Sequence, residues 1–174
     1  MEALECMLTR RSVKKYKDTP VAKELIEKIV EVGTYAPTGR NAQAPIILAV
    51  SNRQVRDELS AINAKVLGAP EGTDPFYNAP VVLVVLAEKE RNTRVYDGSS
   101  VMQNLQLAAH ALGLGSCWIH RAKETFELPE GKAILERLGI TGEYEGIGNC
   151  VIGYLDGEYP VTRPRKENWV YYVD

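Results

Sequence analysis

Val81-Val82-Leu83-Val84-Val85-Leu86-Ala87 is the longest apolar run in the chain. A strand with one wet face alternates polar and apolar residues. This run is apolar at every position, so as a strand it must be buried on both faces. It is far too short to cross a bilayer, which takes about 20 helical residues. The run therefore predicts a strand sandwiched between two helical layers. Upstream, Val21 to Ala36 places Leu25, Ile26, Ile29, Val30 and Val32 on one face and Glu24, Glu27, Lys28 and Glu31 on the other. Pro20 stands near the start of that helix, and Pro37 stops it. Downstream, Asp97 to Leu112 reads as a long helix with Val101, Leu105, Ala108, Ala109 and Leu112 inward, and Gly113 ends it.

Farther out, Glu2 to Thr9 reads as a short helix with Leu4, Met7 and Leu8 on one side. Ile46 to Val50 reads as a strand. Asn52 suits the N-cap of a helix carrying Val55, Leu59, Ile62 and Val66. Gly68 to Pro80 is loop-like, with three prolines and two glycines. Ser116 to His120 reads as a strand, Lys123 to Leu138 as helix restarting at Pro129, and Gly146 to Leu155 as the last internal strand. The chain does not open with a strand followed by Gly-x-Gly-x-x-Gly, which disfavours a dinucleotide-binding start. Gly113-Leu114-Gly115 follows a helix instead.

The 174 residues suit one domain, 1–174, with an ordinary globular composition of 45% apolar and 25% charged residues. A net charge of −2 argues against nucleic acid as the main partner. The N-terminus, Met1-Glu2-Ala3-Leu4-Glu5, lacks the basic start and apolar core of a signal peptide, and the expected compartment is the cytoplasm, without a membrane partner. Cys6, Cys117 and Cys150 are odd in number and widely spaced, so they are expected reduced. His110 and His120 have no ligand-spaced companions, and no metal is expected. No nucleophile-elbow sequence supports a Ser-His-Asp triad.

Two polar stretches stand out against this background. Arg10-Arg11-Ser12-Val13-Lys14-Lys15-Tyr16-Lys17 holds five cations and a hydroxyl in eight residues. One reading is a solvated basic turn whose charges favour a helix C-terminus. The other is a clamp for one small anion. A helix C-terminus repels an anion, so side chains would have to hold it. The second stretch is Pro37-Thr38-Gly39-Arg40-Asn41-Ala42-Gln43. A helix-ending turn explains Pro37, Gly39 and Asn41, but it needs neither Thr38 nor Gln43.

In these stretches the chain resembles the nitroreductase family, whose members carry an Arg-Arg-Ser-x-Arg-type motif after their first helix. Arg10, Arg11 and Ser12 match it, and Lys14 stands where Arg is usual. Pro37, Thr38, Asn41 and Gln43 match the family's Pro-Ser-x-x-Asn-x-Gln-Pro loop, with the last proline displaced to Pro45. Asp97, Gln103, Asn104 and Gly113 to Ile119 resemble its central helix and following strand. Gly153-Tyr154, followed by Arg163, Arg165 and Lys166, resembles its C-terminal pattern. There are departures. Gly68 to Pro80 holds no Lys or Arg, and Glu88 to Asp97 leaves little room for a helical insertion.

The resemblance implies an α+β fold, an α/β sandwich with a central mixed sheet flanked by helices. It implies a domain-swapped homodimer whose arm, about 159–174, wraps the partner subunit. FMN would be bound by Arg10, Arg11, Ser12, Lys14, Pro37, Thr38, Gly39, Asn41, Gln43, Ser116, Cys117, Arg163 and Arg165. The loop at 37–43 would reach a flavin held mainly by the other subunit. Lys14 would tune the flavin ring, Ser116 and Cys117 would offer backbone N–H near flavin N5, and no side-chain acid or base is named. NAD(P)H would be the co-substrate, and a nitroaromatic, quinone or similar small molecule the acceptor, in ping-pong turnover. Relatives also dehalogenate, fragment flavin or oxidise azolines, and a redox module with little turnover is a further alternative.

Overall fold

The computed structural model describes all of residues 1–174. The all-apolar run becomes β2, Val81–Glu88, an inner strand of a four-stranded sheet. β1 (Pro45–Val50) lies on one side of β2 and β4 (Tyr144–Gly153) on the other, with β3 (Gly115–Ile119) at the far edge. Alternation splits β2 between two cores. Val82, Val84 and Leu86 face one, and Val81, Leu83 and Val85 face the other. The first core is covered by α3 (Arg53–Leu67), α5 (Ala122–Glu127) and α6 (Pro129–Arg137), through Leu59, Ile62, Phe126, Ile134 and Leu135. The second is covered by α2 (Lys23–Thr34) and α4 (Arg94–Ala111), through Ile26, Ile29, Val101, Leu105 and Ala109. The protein is thus an α+β sandwich of helix, sheet and helix. Each fully buried side chain of β2 contributes roughly 1.5–3 kcal/mol relative to exposure.

The expected mixed sheet needs correction. All three strand pairings are antiparallel, and the one parallel contact is an isolated bridge between Ser12 and Ser116 at the edge of β3. The reason lies in the segment between α3 and β2. After α3 this segment runs back along the helix to its start. Arg56, in the first turn of α3, donates from Nε to the Ala79 carbonyl at 3.0 Å and pairs with Asp74. Ser60 Oγ donates to Asp74 Oδ1 at 2.5 Å, and the Phe76 and Asn78 N–H groups donate to the same carboxylate at 2.9 and 2.7 Å. The return delivers the chain to β2 beside the end of β1, so β2 must run antiparallel. A direct helix-to-strand link would have made it parallel.

The local signals act as expected. Asn52 Oδ1 accepts the Val55 N–H at 3.1 Å, Pro129 opens α6, and Gly113 turns with φ 79° after α4. α4 begins at Arg94 rather than Asp97, because Arg94 Nε meets Glu145 of β4 at 3.2 Å and draws one more turn against the sheet. Val32 and Leu112, expected inward, are exposed. α2 buries the narrower stripe Ile26, Ile29 and Gly33, and α4 ends before Leu112. The first helix, α1 (Ala3–Thr9), buries only Cys6, whose thiol faces the Leu107 carbonyl at 3.3 Å. Leu4, Met7 and Leu8 stay exposed. No helix is long and apolar enough to cross a membrane.

Candidate functional site

The basic stretch leaves α1 in extended backbone. Arg10 caps the helix with φ −55° and ψ 132°. The chain then docks on the free edge of β3, where the Val13 N–H donates to the Ser116 carbonyl at 2.9 Å. Alternation now sorts the side chains. Val13 is wholly buried, and a Cβ on Gly115 would stand 2.9 Å from Val13 Cβ, so only glycine admits this approach. Tyr16 is also buried and donates its hydroxyl to the Val13 carbonyl at 2.7 Å. Burial drives the Tyr16 phenol far above its ordinary pKa, so it stays neutral. With Val13 and Tyr16 as rigid anchors, Ser12 and Lys14 project outward. Arg10 is half-buried, and its Nη1 is buried with no partner in the chain. Ser116 Oγ, across the bridge, is likewise buried and unpartnered.

Arg11 turns to a different task. Its Nη1 donates to the Leu8 and Arg10 carbonyls at 2.8 and 2.6 Å, and its Nε donates to Thr162 Oγ1 at 3.0 Å. Its backbone N–H donates to the Tyr159 hydroxyl at 2.8 Å. The motif thus splits into exposed Ser12 and Lys14, half-buried Arg10 with its unpaired nitrogen, and an arm anchor, Arg11. Arg163 follows Thr162 directly. Arg163 and Arg165 are exposed and make no ion pair, and Arg165 Nη2 donates to the Arg163 carbonyl at 2.8 Å. The beginning of the arm is therefore held by its own chain. Its end exposes Trp169, Val170, Tyr171, Tyr172 and Val173.

Cys117 lies in β3 under this turn. Burial pushes its thiol up, although the Ser12 hydroxyl, Lys14 and Arg10 pull the other way. Net elevation makes it a poor nucleophile at neutral pH, and burial drives Cys150 higher still. Lys14 Nζ stands 5.8 Å from the centre of the Tyr77 ring, a neighbour the sequence did not suggest.

The second stretch forms a short 3-10 turn, Gly39–Asn41. Arg40, Asn41 and Gln43 all have positive φ, between 50° and 55°, which asparagine tolerates but arginine and glutamine adopt only under constraint. The constraint comes from α4. Buried Asp97 accepts the Gly39 N–H at 2.9 Å and the Thr93 hydroxyl at 2.8 Å. A Cβ on Gly39 would sit 2.7 Å from Thr93 Oγ1. Thr38 Oγ1 accepts the Gln43 N–H at 3.0 Å. The Asn41 and Gln43 amides stay exposed, and Pro37 is exposed beside them. This loop also edges a cavity of about 300 Å³ lined by Val30, Ala36, Thr38, Gln43, Ile47 and Val101.

The two stretches do not meet within one chain. The loop enters β1, where Pro45 faces Ala87 near one end of β2. The turn docks on Ser116, whose partner Ile152 faces Val81 at the other end. That separation is roughly 20 Å along the strands and roughly 14 Å across the sheet. Sequence reading also missed Asp97 as the post that shapes the loop, and His110, Tyr159 and Thr162 as companions of Arg11. Their partners lie many tens of residues away, so no local pattern could mark them.

Known proteins resemble this chain in fold and sequence. The model for the nitroreductase family matches residues 7–154. A Bacteroides fragilis nitroreductase with bound FMN superposes with a TM-score of 0.89 at 27% identity, over 100% of both chains. An FMN-dependent nitroreductase from Clostridium difficile superposes with a TM-score of 0.80 at 30% identity, over 97% of this chain and 98% of that one. The NADPH-flavin oxidoreductase of Vibrio harveyi is 28% identical over 93% of this chain and 69% of its own. With the matched residues spanning α1 to the end of β4, this chain belongs to the nitroreductase family.

Proposed function

We propose that this protein is an FMN-dependent oxidoreductase that takes hydride from NAD(P)H and passes it to a nitroaromatic, quinone or similar small acceptor. The observation that carries the reading is the orphaned Arg10 Nη1. A buried guanidinium nitrogen with no acceptor is costly, and a phosphate oxygen would satisfy it. Ser116 Oγ, buried and unpartnered beside the same turn, and the hydroxyl of exposed Ser12, which also reaches Cys117, fit the same anion. FMN-bound relatives with the same fold support the choice of group.

In this reading Arg10 and Ser12 hold the phosphate, and Arg163 and Arg165 close on it from the arm. Lys14 places a positive charge at the pyrimidine edge of the ring. Asn41 and Gln43 offer amide donors and acceptors to the flavin of the partner subunit, which fits the distance between loop and turn within one chain. The exposed faces of α1 and of the arm's end then lie between subunits, as the expected homodimer requires. When bound, FMN supplies a ring that accepts hydride at N5 and returns it to an acceptor. Ser116 and Cys117 would offer backbone N–H toward that atom. No acid or base is assigned among the side chains.

The test is direct. Purified protein should be yellow, release FMN rather than the adenine dinucleotide, and sediment as a dimer. NAD(P)H should bleach it, and a nitroaromatic or quinone should restore the colour with ping-pong kinetics. A preparation that stays colourless after incubation with FMN and removal of the free flavin would remove the reading, and a bleached flavin that no acceptor reoxidises would remove the turnover. Lys14→Met keeps most of the stem and loses the charge. It should lower the flavin potential by about 30 mV for a loss of about 1.4 kcal/mol, and slow reduction in stopped flow. If it weakens FMN binding while the potential stays put, Lys14 serves the phosphate instead.

A further inference from the structure

The start of the arm is fastened by a chain of hydrogen bonds in which every proton has one place. Thr9 Oγ1 lies 2.6 Å from the Glu5 carbonyl, so it must donate there. His110 Nε2 lies 2.8 Å from Thr9 Oγ1, and with that proton spent, Nε2 must be the donor. The neutral ring then leaves Nδ1 as an acceptor. The Tyr159 hydroxyl, 3.1 Å away, fills it by donating. The Tyr159 oxygen in turn accepts the Arg11 N–H at 2.8 Å. The tyrosine ring stacks on the imidazole, with centroids 5.5 Å apart. Two residues beyond Pro160, Thr162 is held by the Arg11 guanidinium.

We propose that His110, Tyr159 and Arg11 form a latch that positions the arm, and that the latch holds most tightly while His110 is neutral. This rests on the reading that Arg163 and Arg165 serve the flavin phosphate. In this reading none of the three latch residues is assigned a contact to the flavin. They act by setting where Arg163 begins. A proton on Nδ1 would meet the Tyr159 hydroxyl proton head-on, so that proton must turn to solvent and the oxygen, which already accepts the Arg11 N–H, must accept from the ring as well, which weakens the latch. It would also add a cation beside Arg10 and Arg11, from the turn, with Glu5 of α1 as the only facing carboxylate. Tyr159 is the titratable group facing the ring from the arm. Burial first, then Arg10 and Arg11, hold the His110 pKa below its ordinary 6.5, and Glu5 opposes them. The sign follows. Tyr159 donates to Nδ1 only when that nitrogen carries no proton, so latching favours the neutral ring and weakens as pH falls and the ring takes up a proton.

His110→Gln keeps one donor and one acceptor but never charges, and Tyr159→Phe keeps the ring but breaks the chain. FMN affinity of the full-length protein would be titrated by flavin fluorescence at pH 7.5 and 5.5. NMR order parameters for residues 159–165 would be recorded with and without FMN. The phosphate of FMN titrates near 6 in every variant, so the comparison between variants is the readout. Wild type should lose about three- to tenfold more affinity on acidification than His110→Gln, the worth of one hydrogen bond. Tyr159→Phe should bind FMN about three- to tenfold more weakly at pH 7.5, with the same shallow pH profile as His110→Gln. Residues 159–165 should loosen at pH 5.5 in wild type and stay ordered in His110→Gln. Parallel pH profiles for wild type and His110→Gln, or an arm equally ordered at both pH values, would overturn the latch. If FMN does not bind at pH 7.5, the flavin reading fails, and the arm's order parameters alone still decide whether the latch exists.

Discussion

Replacing Arg10 with Ala should weaken FMN binding roughly ten- to a hundredfold, about 1.5–3 kcal/mol, the usual worth of a charge-assisted hydrogen bond. The effect should be large because the side chain is prepared in advance. Arg10 emerges where α1 ends, its backbone N–H bonded to the Cys6 carbonyl at 3.0 Å. The following residues are pinned by Val13 on β3, so the guanidinium is held near the sheet edge with Nη1 unpaired. Little ordering remains to be done on binding. Arg11→Ala should behave differently. It removes contacts to Leu8, Arg10 and Thr162 rather than an unpaired donor, and its loss should act through the arm. Fluorescence titration of FMN measures both, and riboflavin, which lacks the phosphate, is the control. Arg10→Ala should change riboflavin binding little. Equal loss for both ligands would mean that Arg10 shapes the pocket without meeting the phosphate.

Asp74→Ala should cost about 3–5 kcal/mol of folding stability, because it strands a buried charge. Arg56 is 2% exposed and pairs with Asp74 beneath the returning loop. The same carboxylate takes Ser60 Oγ and the Phe76 and Asn78 N–H groups, so four donors lose their acceptor at once. Asp57 remains beside Arg56, 2.9 Å from Nη1, but it is shared with Arg53 and lies near the surface. Burial alone would raise the Asp74 carboxyl. The hydrogen bonds from Arg56, Ser60, Phe76 and Asn78 outweigh it and hold the carboxyl below its ordinary value. A depressed carboxyl stabilises the fold above about pH 4 and loses that contribution as pH falls through its folded value. Denaturant melts at pH 7 and pH 3 should therefore show wild type and variant far apart at neutrality and closer in acid. A double variant, Asp74→Ala with Arg56→Met, should recover part of the loss, since it also removes the stranded charge. If Asp74→Ala melts within about 1 kcal/mol of wild type, water reaches Arg56 more freely than its burial implies.

Much of this architecture was legible because its causes are local. An apolar run with no alternation has one stable home, a strand covered on both faces, and Val81–Ala87 took it. Asn52, Gly113 and Pro129 carry their own backbone preferences, and each marked a real boundary. What failed was decided at a distance. The start of α4 moved to Arg94 because Glu145 was waiting on β4. Strand direction escaped periodicity altogether. It follows from a loop that retraces α3, and the Arg56–Asp74 pair that folds the loop back joins residues with no shared pattern.

The candidate site divides the same way. By itself the sequence determined which chemistry was on hand. It put a hydroxyl and dense positive charge after one helix and amides after another, and their order carried the resemblance to the family. Side-chain type and short-range order are properties of the linear chain, so they needed no fold to be seen. Only the tertiary structure decided what each residue does with that chemistry. Docking Val13 against Gly115 fixed an alternation that sends Ser12 and Lys14 outward. The approach of Tyr159 and Thr162 tied Arg11 to the start of the arm. Asp97 tied the Gly39 N–H to α4, and the loop beyond it holds Arg40 and Gln43 in left-handed backbone that neither favours. The physical reason is that a hydrogen bond has no memory of sequence distance. Its partner is whichever group packing brings within about 3 Å, and only the packed core sets that neighbour.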